Sequence, residues 1–441
     1  MKTLILLFSI ILTAHPAAAE DGAITYSLEE VIAYGLKNNS RIRSAGTDID
    51  IETSGLRSAQ ADRMPRLDLG GGVTKYKYPT AVTPIYGSPT SGIVFPEFDR
   101  TLYDAGVTFV LPLYRGGRLD RGVAIAELRK SIAEDLFRMD RQELVYNLTS
   151  LYYKILQIEK LKQANDESVK QLEAHKKNVE LFFKAGTVPK VELLKTETEL
   201  AHARQTALIT KNALESAYEL LKTFMGVEDM SRKITLTGVS GVDERYPSLD
   251  ESVNAAFTKR PDYQALIKKL KIAEERVGLA RGRRWPALNV VGDFNERSGT
   301  DNDFKENWTL GLRLSMPIFD GGAISADVSR SKMELLKAKE DERALRLEIT
   351  REVRDAHLSI ENAADRINAA STAVESAKEN LRIEQLKYKT GAGTSTDVID
   401  AQNVLLRAET DYYQALYDKF IALASLRRAI GEVFAEGEAG K

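Results

Sequence analysis

The sequence predicts a mainly α-helical chain, internally duplicated. Each copy joins a membrane-type β-hairpin to a long antiparallel coiled-coil hairpin, and the strand count points to subunits that share one β-barrel. Three observations predict this. A single register of similarity links the two halves, period-two segments lead to a Pro/Gly-Gly corner in each, and a very long proline-free run follows each corner.

The duplication comes first, because a missed repeat misreads the whole fold. Ser27-Leu28-Glu29-Glu30-Val31 aligns with Ser248-Leu249-Asp250-Glu251-Ser252, and Arg63-Met64-Pro65 with Arg284-Trp285-Pro286, at an offset of 221. Leu111-Pro112-Leu113-Tyr114-Arg115-Gly116-Gly117 then matches Met316-Pro317-Ile318-Phe319-Asp320-Gly321-Gly322 at 205. That offset holds onward: Phe183-Lys184-Ala185-Gly186 meets Tyr388-Lys389-Thr390-Gly391, Glu192 meets Asp397, and Met225-Gly226 meets Ile430-Gly431. The change in offset (221 − 205 = 16) is an insertion in the first copy's extended region, around Pro79 to Pro96. The boundaries that follow are a signal over 1–19, a first repeat over 20–226, a linker over 227–247, a second repeat over 248–431 and a tail over 432–441.

The first 19 residues read as a secretory signal: Lys2, an apolar run from Leu4 to Leu12, then Ala17-Ala18-Ala19 with cleavage expected between Ala19 and Glu20. No later stretch approaches the ~18 apolar residues of a spanning helix. The chain has 441 residues, 29% of them charged, and a net charge of −2, which lacks the basic excess of a nucleic-acid binder. It has no cysteine, which excludes disulfides, thiolate zinc sites, cysteine nucleophiles and a lipid anchor on a mature Cys.

In the extended segments the hydrophobic period is two. Trp308, Leu310, Leu312, Leu314, Met316 and Ile318 alternate with more polar residues, and the first copy has Tyr103, Ala105, Val107, Phe109, Leu111 and Leu113 at the matching positions. The preceding strands carry Leu288, Val290, Gly292 and Phe294, and Leu67, Leu69, Gly71 and Val73. Each copy thus supplies two strands of about ten residues, the signature of an outer-membrane barrel; an amphipathic hairpin on a soluble core would show the same alternation. Four strands cannot close a barrel, eight would leave it filled with side chains, and twelve from three chains leave an open bore.

From Arg118 to Lys184 and from Ala323 to Lys389 there is no proline and hardly a glycine. A helix of ~67 residues runs about 100 Å at 1.5 Å per residue, so it must pack lengthwise on other helices. Val353, Ile360, Ile367, Val374 and Leu381 form one seven-residue row, and Ala356, Ala363, Ala370 and Ala377 the other. The return helix repeats this with Val398, Leu405, Tyr412, Lys419 and Leu426 beside Ala401, Ala408, Ala415, Ala422 and Ala429. A sustained seven-residue repeat implies a left-handed coiled coil, and alanine rows allow close approach. Leu345, Ile349 and Val353 step by four twice, a stutter. The first copy's seam is looser, with Lys162, Asn165 and Lys176 at the matching positions.

The repeat, the Pro-x-x-x-Gly-Gly corners and the turns Phe183-Lys184-Ala185-Gly186-Thr187-Val188 and Tyr388-Lys389-Thr390-Gly391-Ala392-Gly393-Thr394, in this order, resemble the TolC-like outer membrane efflux proteins over nearly the whole mature chain. The resemblance implies a homotrimer with a twelve-stranded outer-membrane barrel and a twelve-helix periplasmic tunnel. It implies export of small molecules or polypeptides together with a periplasmic adaptor and an inner-membrane pump or ABC exporter. The adaptor is expected to dock on the tips Gly186, Thr187 and Val188, and Gly391, Ala392 and Gly393. It also places a gate latch at Glu192 and Tyr388, while the family's latch arginine falls on Gly393, so that bond cannot form in the usual way.

Asp397 and Asp400, three apart, share a helix face. Two readings fit them: a carboxylate ring at the narrowest part of a tunnel, matching the family's acidic constriction, or helix-start acids favoured by the macrodipole. His175 and His202 lie about equally far from the first tip and read as solvated histidines facing each other across the hairpin, since two imidazoles are too few for a metal. No nucleophile–base pair, phosphate loop or zinc spacing occurs, and Gly70-Gly71-Gly72 is no nucleotide fingerprint. No enzyme activity, cofactor or metal is expected. The remaining alternative is a periplasmic coiled-coil scaffold or adaptor with no pore, which would usually carry one helical hairpin rather than two in register.

Overall fold

Paired glycines mark the joints of both copies. Gly116 and Gly117, at φ 64° and 71°, turn strand into helix, and Gly321 and Gly322 do so at 65° and 90°. Glycine holds these left-handed angles without a Cβ clash. A Cβ on Gly116 would also collide with the carbonyl oxygen of Gly282, so this corner packs backbone against backbone.

In a computed structural model of the chain, residues 24–88, 92–238 and 245–432 are described. The expected cleavage point at Ala19 and Glu20 lies outside them, as do parts of the linker and nearly all of the tail. The first copy comprises β1 (Ile24–Tyr26), α1 (Leu28–Asn38), α2 (Ser40–Ala61), β2 (Arg66–Ala81), β3 (Tyr86–Ser88), β4 (Gly92–Val94), β5 (Phe98–Arg115), α3 (Arg118–Lys184) and α4 (Lys190–Met225). After β6 (Ile234–Leu236), the second comprises α5 (Leu249–Lys259), α6 (Pro261–Gly282), β7 (Ala287–Ser298), β8 (Lys305–Ser315), α7 (Ala323–Lys389) and α8 (Ser395–Ile430).

The long helices start and stop where the sequence predicts. α3 and α7 have 67 residues each, and α4 and α8 have 36 each. Gly186, Gly391, Gly226 and Gly431 end them, all at φ between 74° and 80°. In each case the next residue's N–H reaches back across the last turn, as with Thr187 to Phe182 O at 3.0 Å and Ala392 to Lys387 O at 2.9 Å, which satisfies carbonyls the helix leaves open. No helix among the described residues is long and apolar enough to cross a membrane.

Two compact units emerge. One gathers the described parts of 39–146, 245–365 and 419–441. It holds an antiparallel sheet in the order β2-β5-β7-β8, so β5 and β7 join the two copies. Ile125 and Ile132 of α3 pack on Ala265 and Ile272 of α6. Beside them Asp135, fully buried, is held by Lys268 at 2.5 Å and by Arg138; a buried carboxylate needs such pairing. The capping box of Ser248 and Glu251 opens α5.

Two strand expectations need correction. The first copy's strands run to 16 and 18 residues rather than about ten, because the insertion extends both and adds the β3–β4 hairpin. The alternation through Met316 and Ile318 is not strand: β8 ends at Ser315, opposite Ala287 where β7 begins, and Pro286 before it has no N–H to continue the ladder. In β5, Pro112, the counterpart of Pro317, sits at a bulge against β7.

The other unit gathers the described parts of 1–38, 147–244 and 366–418. β1 and β6 pair in parallel, a feature unread in the sequence, where 227–247 counted only as linker. Tyr152 donates to Thr237 O at 2.5 Å beside this pair. The second-copy seam is buried as expected: Ala377 and Leu381 of α7 pack with Val398, Ala401, Leu405 and Ala408 of α8. The looser first-copy seam is bridged by polar contacts. Asn165 donates to Thr210 at 2.9 Å, Lys176 meets Glu197 at 2.9 Å, and Tyr218 donates to Glu159 at 2.6 Å.

Candidate functional site

The sheet and the hairpin tips hold the residues for which the sequence raises functional expectations. In the sheet, the register aligns the predicted apolar positions of the four strands into rows, apart from Leu113 at the bulge and from Met316 and Ile318 beyond β8. Leu69, Val107, Phe294 and Trp308 form one row across four strands, and Leu67, Phe109, Gly292 and Leu310 the next. Leu67, Leu69, Trp308, Leu310, Leu312 and Leu314 are all exposed. The opposite pleat carries rows such as Asp68, Thr108, Asp293 and Thr309, with Thr108 donating to Asp293 at 3.2 Å. One face is therefore greasy and bare, the other polar, and the outer edges of β2 and β8 have no strand partner among the described residues. That is a slice of a barrel wall, since unpaired edges and a bare apolar face both require neighbours.

At the tips, Glu192 neighbours Tyr388. Tyr388 is 5% exposed and packs its edge on Phe182 at 5.6 Å and on His175 at 5.0 Å. Burial, then the neighbouring Glu192 carboxylate, pushes the Tyr388 phenol up to about 12. Yet Tyr388 Oη and Glu192 Oε2 are both buried without a well-formed hydrogen bond. Gly393 offers no side-chain donor, and its Cβ position lies 3.1 Å from that of Lys387. Glu192 and Tyr388 therefore lie side by side at the tip, and position 393 brings no side-chain cation to them.

Asp397 and Asp400 are both exposed on α8. Asp397 also caps the helix: its carboxylate accepts from Thr394 N–H at 2.9 Å and from the Thr394 hydroxyl at 2.8 Å, which hold its pKa below the usual carboxylate range. The tip glycines Gly186 and Gly391 have open space around them.

The histidine expectation fails. His202 is exposed, but His175 is buried in the seam and contacts Ser395 of the second hairpin rather than His202. A partner supplied by another repeat copy leaves no local signal. His357, likewise buried, pairs with Ser252 Oγ at 2.9 Å. The sequence reading also missed the exposed group of Glu97, just before β5, with Asp301 and Asp303 of the β7–β8 turn, where Lys305 pairs with Asp303. Exposed, partly paired carboxylates alone do not make a metal site.

The family profile described as "Outer membrane efflux protein" matches residues 32–227 and again 253–432. The chain belongs to the outer membrane efflux protein family. The two matches settle between the channel and the non-pore scaffold in favour of the channel. This efflux protein is 21% identical to the outer membrane protein TolC of Vibrio cholerae, over 92% of this chain and 90% of that protein. It is 21% identical to the outer membrane efflux protein BepC of Brucella suis, over 98% of this chain and 90% of that one. Among solved structures, the Campylobacter jejuni CmeC outer membrane channel superposes with a TM-score of 0.80 at 18% identity, covering 92% of this chain and 85% of that one. VceC of Vibrio cholerae gives 0.80 at 18%, covering 92% and 96%.

Proposed function

We propose that three copies of this outer membrane efflux protein close one twelve-stranded barrel, which continues as a helical tunnel into the periplasm, and that the assembly exports solutes with an adaptor and an inner-membrane pump. The observation that carries the reading is the four-stranded sheet, apolar on one face and polar on the other, with both edges open. Three such slices give twelve strands, enough for a bore, with the apolar rows toward lipid.

The tips Gly186, Thr187 and Val188, and Gly391, Ala392 and Gly393, form the adaptor surface in this reading. Asp397 and Asp400 line the narrowest part of the tunnel, where six carboxylates concentrate negative potential. Glu192 and Tyr388 are the remaining half of a latch. Purified protein should migrate as a heat-modifiable trimer, fractionate with the outer membrane and give cation-preferring channels in planar bilayers. A monomer that never conducts would overturn the reading.

A further inference from the structure

We infer that His175, Ser395 and Thr196 form an acid-released clasp that holds the first helical hairpin against the second. His175 stands in the buried seam of α3, among Ala164, Ser168, Leu172 and Val179. A ring with two polar nitrogens is costly there unless partnered. Its partner comes from the other copy: His175 Nε2 lies 2.8 Å from Ser395 Oγ, and Ser395 Oγ lies 3.1 Å from Thr196 Oγ1. Ser395 is 1% exposed and Thr196 fully buried.

The hydroxyl protons fix the direction of the relay. Thr196 gives its proton to the Glu192 carbonyl at 2.8 Å, so it accepts from Ser395. Ser395 thereby accepts from His175, which must carry its proton on Nε2. Three helices, α3, α4 and α8, meet on one hydroxyl, and Tyr388 of α7 lies against the imidazole.

Burial pushes the His175 imidazole down to about 4, only partly offset by the contact with Ser395. The charged groups nearby are otherwise engaged. On α3, Lys176 pairs with Glu180 and Glu197; on α4, Glu192 lies beside Tyr388 and Lys195 reaches Thr396; on α8, Asp397 caps Thr394. None of them is a cause of the shift. A second proton would therefore place an uncompensated imidazolium in the seam, whereas an opened clasp gives it water.

The depressed pKa fixes the sign. The clasp is at full strength above the free imidazole value of about 6.5 and weakens up to tenfold per pH unit below it, approaching a limit of about 300-fold below pH 4. The device does not depend on whether the assembly conducts.

The chain has no cysteine, so Lys177→Cys on α3 and Val404→Cys on α8, both at exposed positions, can carry spin labels without background. Labelled chains would be diluted into unlabelled ones in detergent, and pulsed electron–electron distances taken from pH 7.5 to 4.5. One distance is expected at pH 7.5. A longer one should grow below pH 6.5, at up to tenfold per unit in population ratio. His175→Asn, with helix content confirmed by circular dichroism, should remove that growth, and His202→Asn should leave it intact. Ser395→Ala should populate the long distance already at pH 7.5, which keeps the test open should His175→Asn fail to fold. Identical distances at both pH limits in the unsubstituted protein, or an unchanged response in His175→Asn, would overturn the clasp.

Discussion

Leu69 on β2 and Trp308 on β8 stand at opposite edges of the sheet yet share one row, linked through Val107 and Phe294. Two residues 239 positions apart (308 − 69) thus present one apolar face. In the proposed barrel this face turns to lipid and the opposite pleat to the lumen.

Leu312 lies on that face and Thr309 on the other. Leu312→Arg should cost ~2–4 kcal/mol per subunit near the bilayer midplane and reduce outer-membrane insertion, while Thr309→Arg should be mild. Quantifying heat-modifiable trimer in membrane fractions checks this, and equal insertion of both variants would reverse the face assignment.

Gly186 and Gly391 hold φ of 76° and 78° with open space around them. A side chain fits there, but the backbone angle costs roughly 1–2 kcal/mol. That is too little to unfold a 67-residue helix. Gly186→Trp and Gly391→Trp should therefore leave trimers in the membrane and abolish export by blocking the adaptor surface. Normal drug resistance or secretion in both variants would move docking elsewhere.

Asp397→Asn with Asp400→Asn keeps side-chain size, and the amide oxygen introduced at position 397 can still accept from Thr394, so helix content should not change. Because Thr394 holds the Asp397 carboxyl below its usual pKa, that charge persists as pH falls through the ordinary carboxylate range. Block by a multivalent cation should survive mild acidification in the unsubstituted channel and be relieved in the double variant. Single-channel recordings showing the same block in both would exclude these aspartates as the selectivity ring.

Tyr388 Oη and Glu192 Oε2 are buried without a hydrogen-bond partner. Gly393→Arg would supply a guanidinium, at the cost of a small shift against Lys387. A charge-assisted bond there should stabilise the tip by about 1 kcal/mol, and Tyr388→Phe should cancel part of that gain. A double-mutant cycle on thermal unfolding reads the coupling; additive effects would show that the arginine does not reach the pair.

The long helices were legible end to end because their limits are local: Gly116-Gly117 and Gly321-Gly322 before them, Gly186 and Gly391 just after. The sheet's faces were legible because period two survives in both copies, and the register then aligned them. What stayed hidden depends on distant partners. β1 and β6 are three-residue strands whose pairing joins residues 210 positions apart, as Ile24 does with Ile234. The carboxylates of Glu97 and Asp301 meet only once the sheet forms. His175 looks like a surface residue until α8 brings Ser395 to it. The contacts of His175 with Ser395 and of Glu192 with Tyr388 share this property, since each draws one member from each copy.

The matched helix lengths make the duplicated chain a ruler. α3 equals α7 and α4 equals α8 to the residue, and the His175–Ser395 contact ties the two hairpins in one register. Removing one heptad from α7 alone would draw its tip back by about 10 Å at 1.5 Å per residue, and Ser395 would no longer meet His175. The fold can therefore be lengthened or shortened only by edits made together in all four long helices. Variation in reach among such chains should come in matched sets of seven residues, while single insertions are confined to the loops, as the extra hairpin between Pro79 and Pro96 already is.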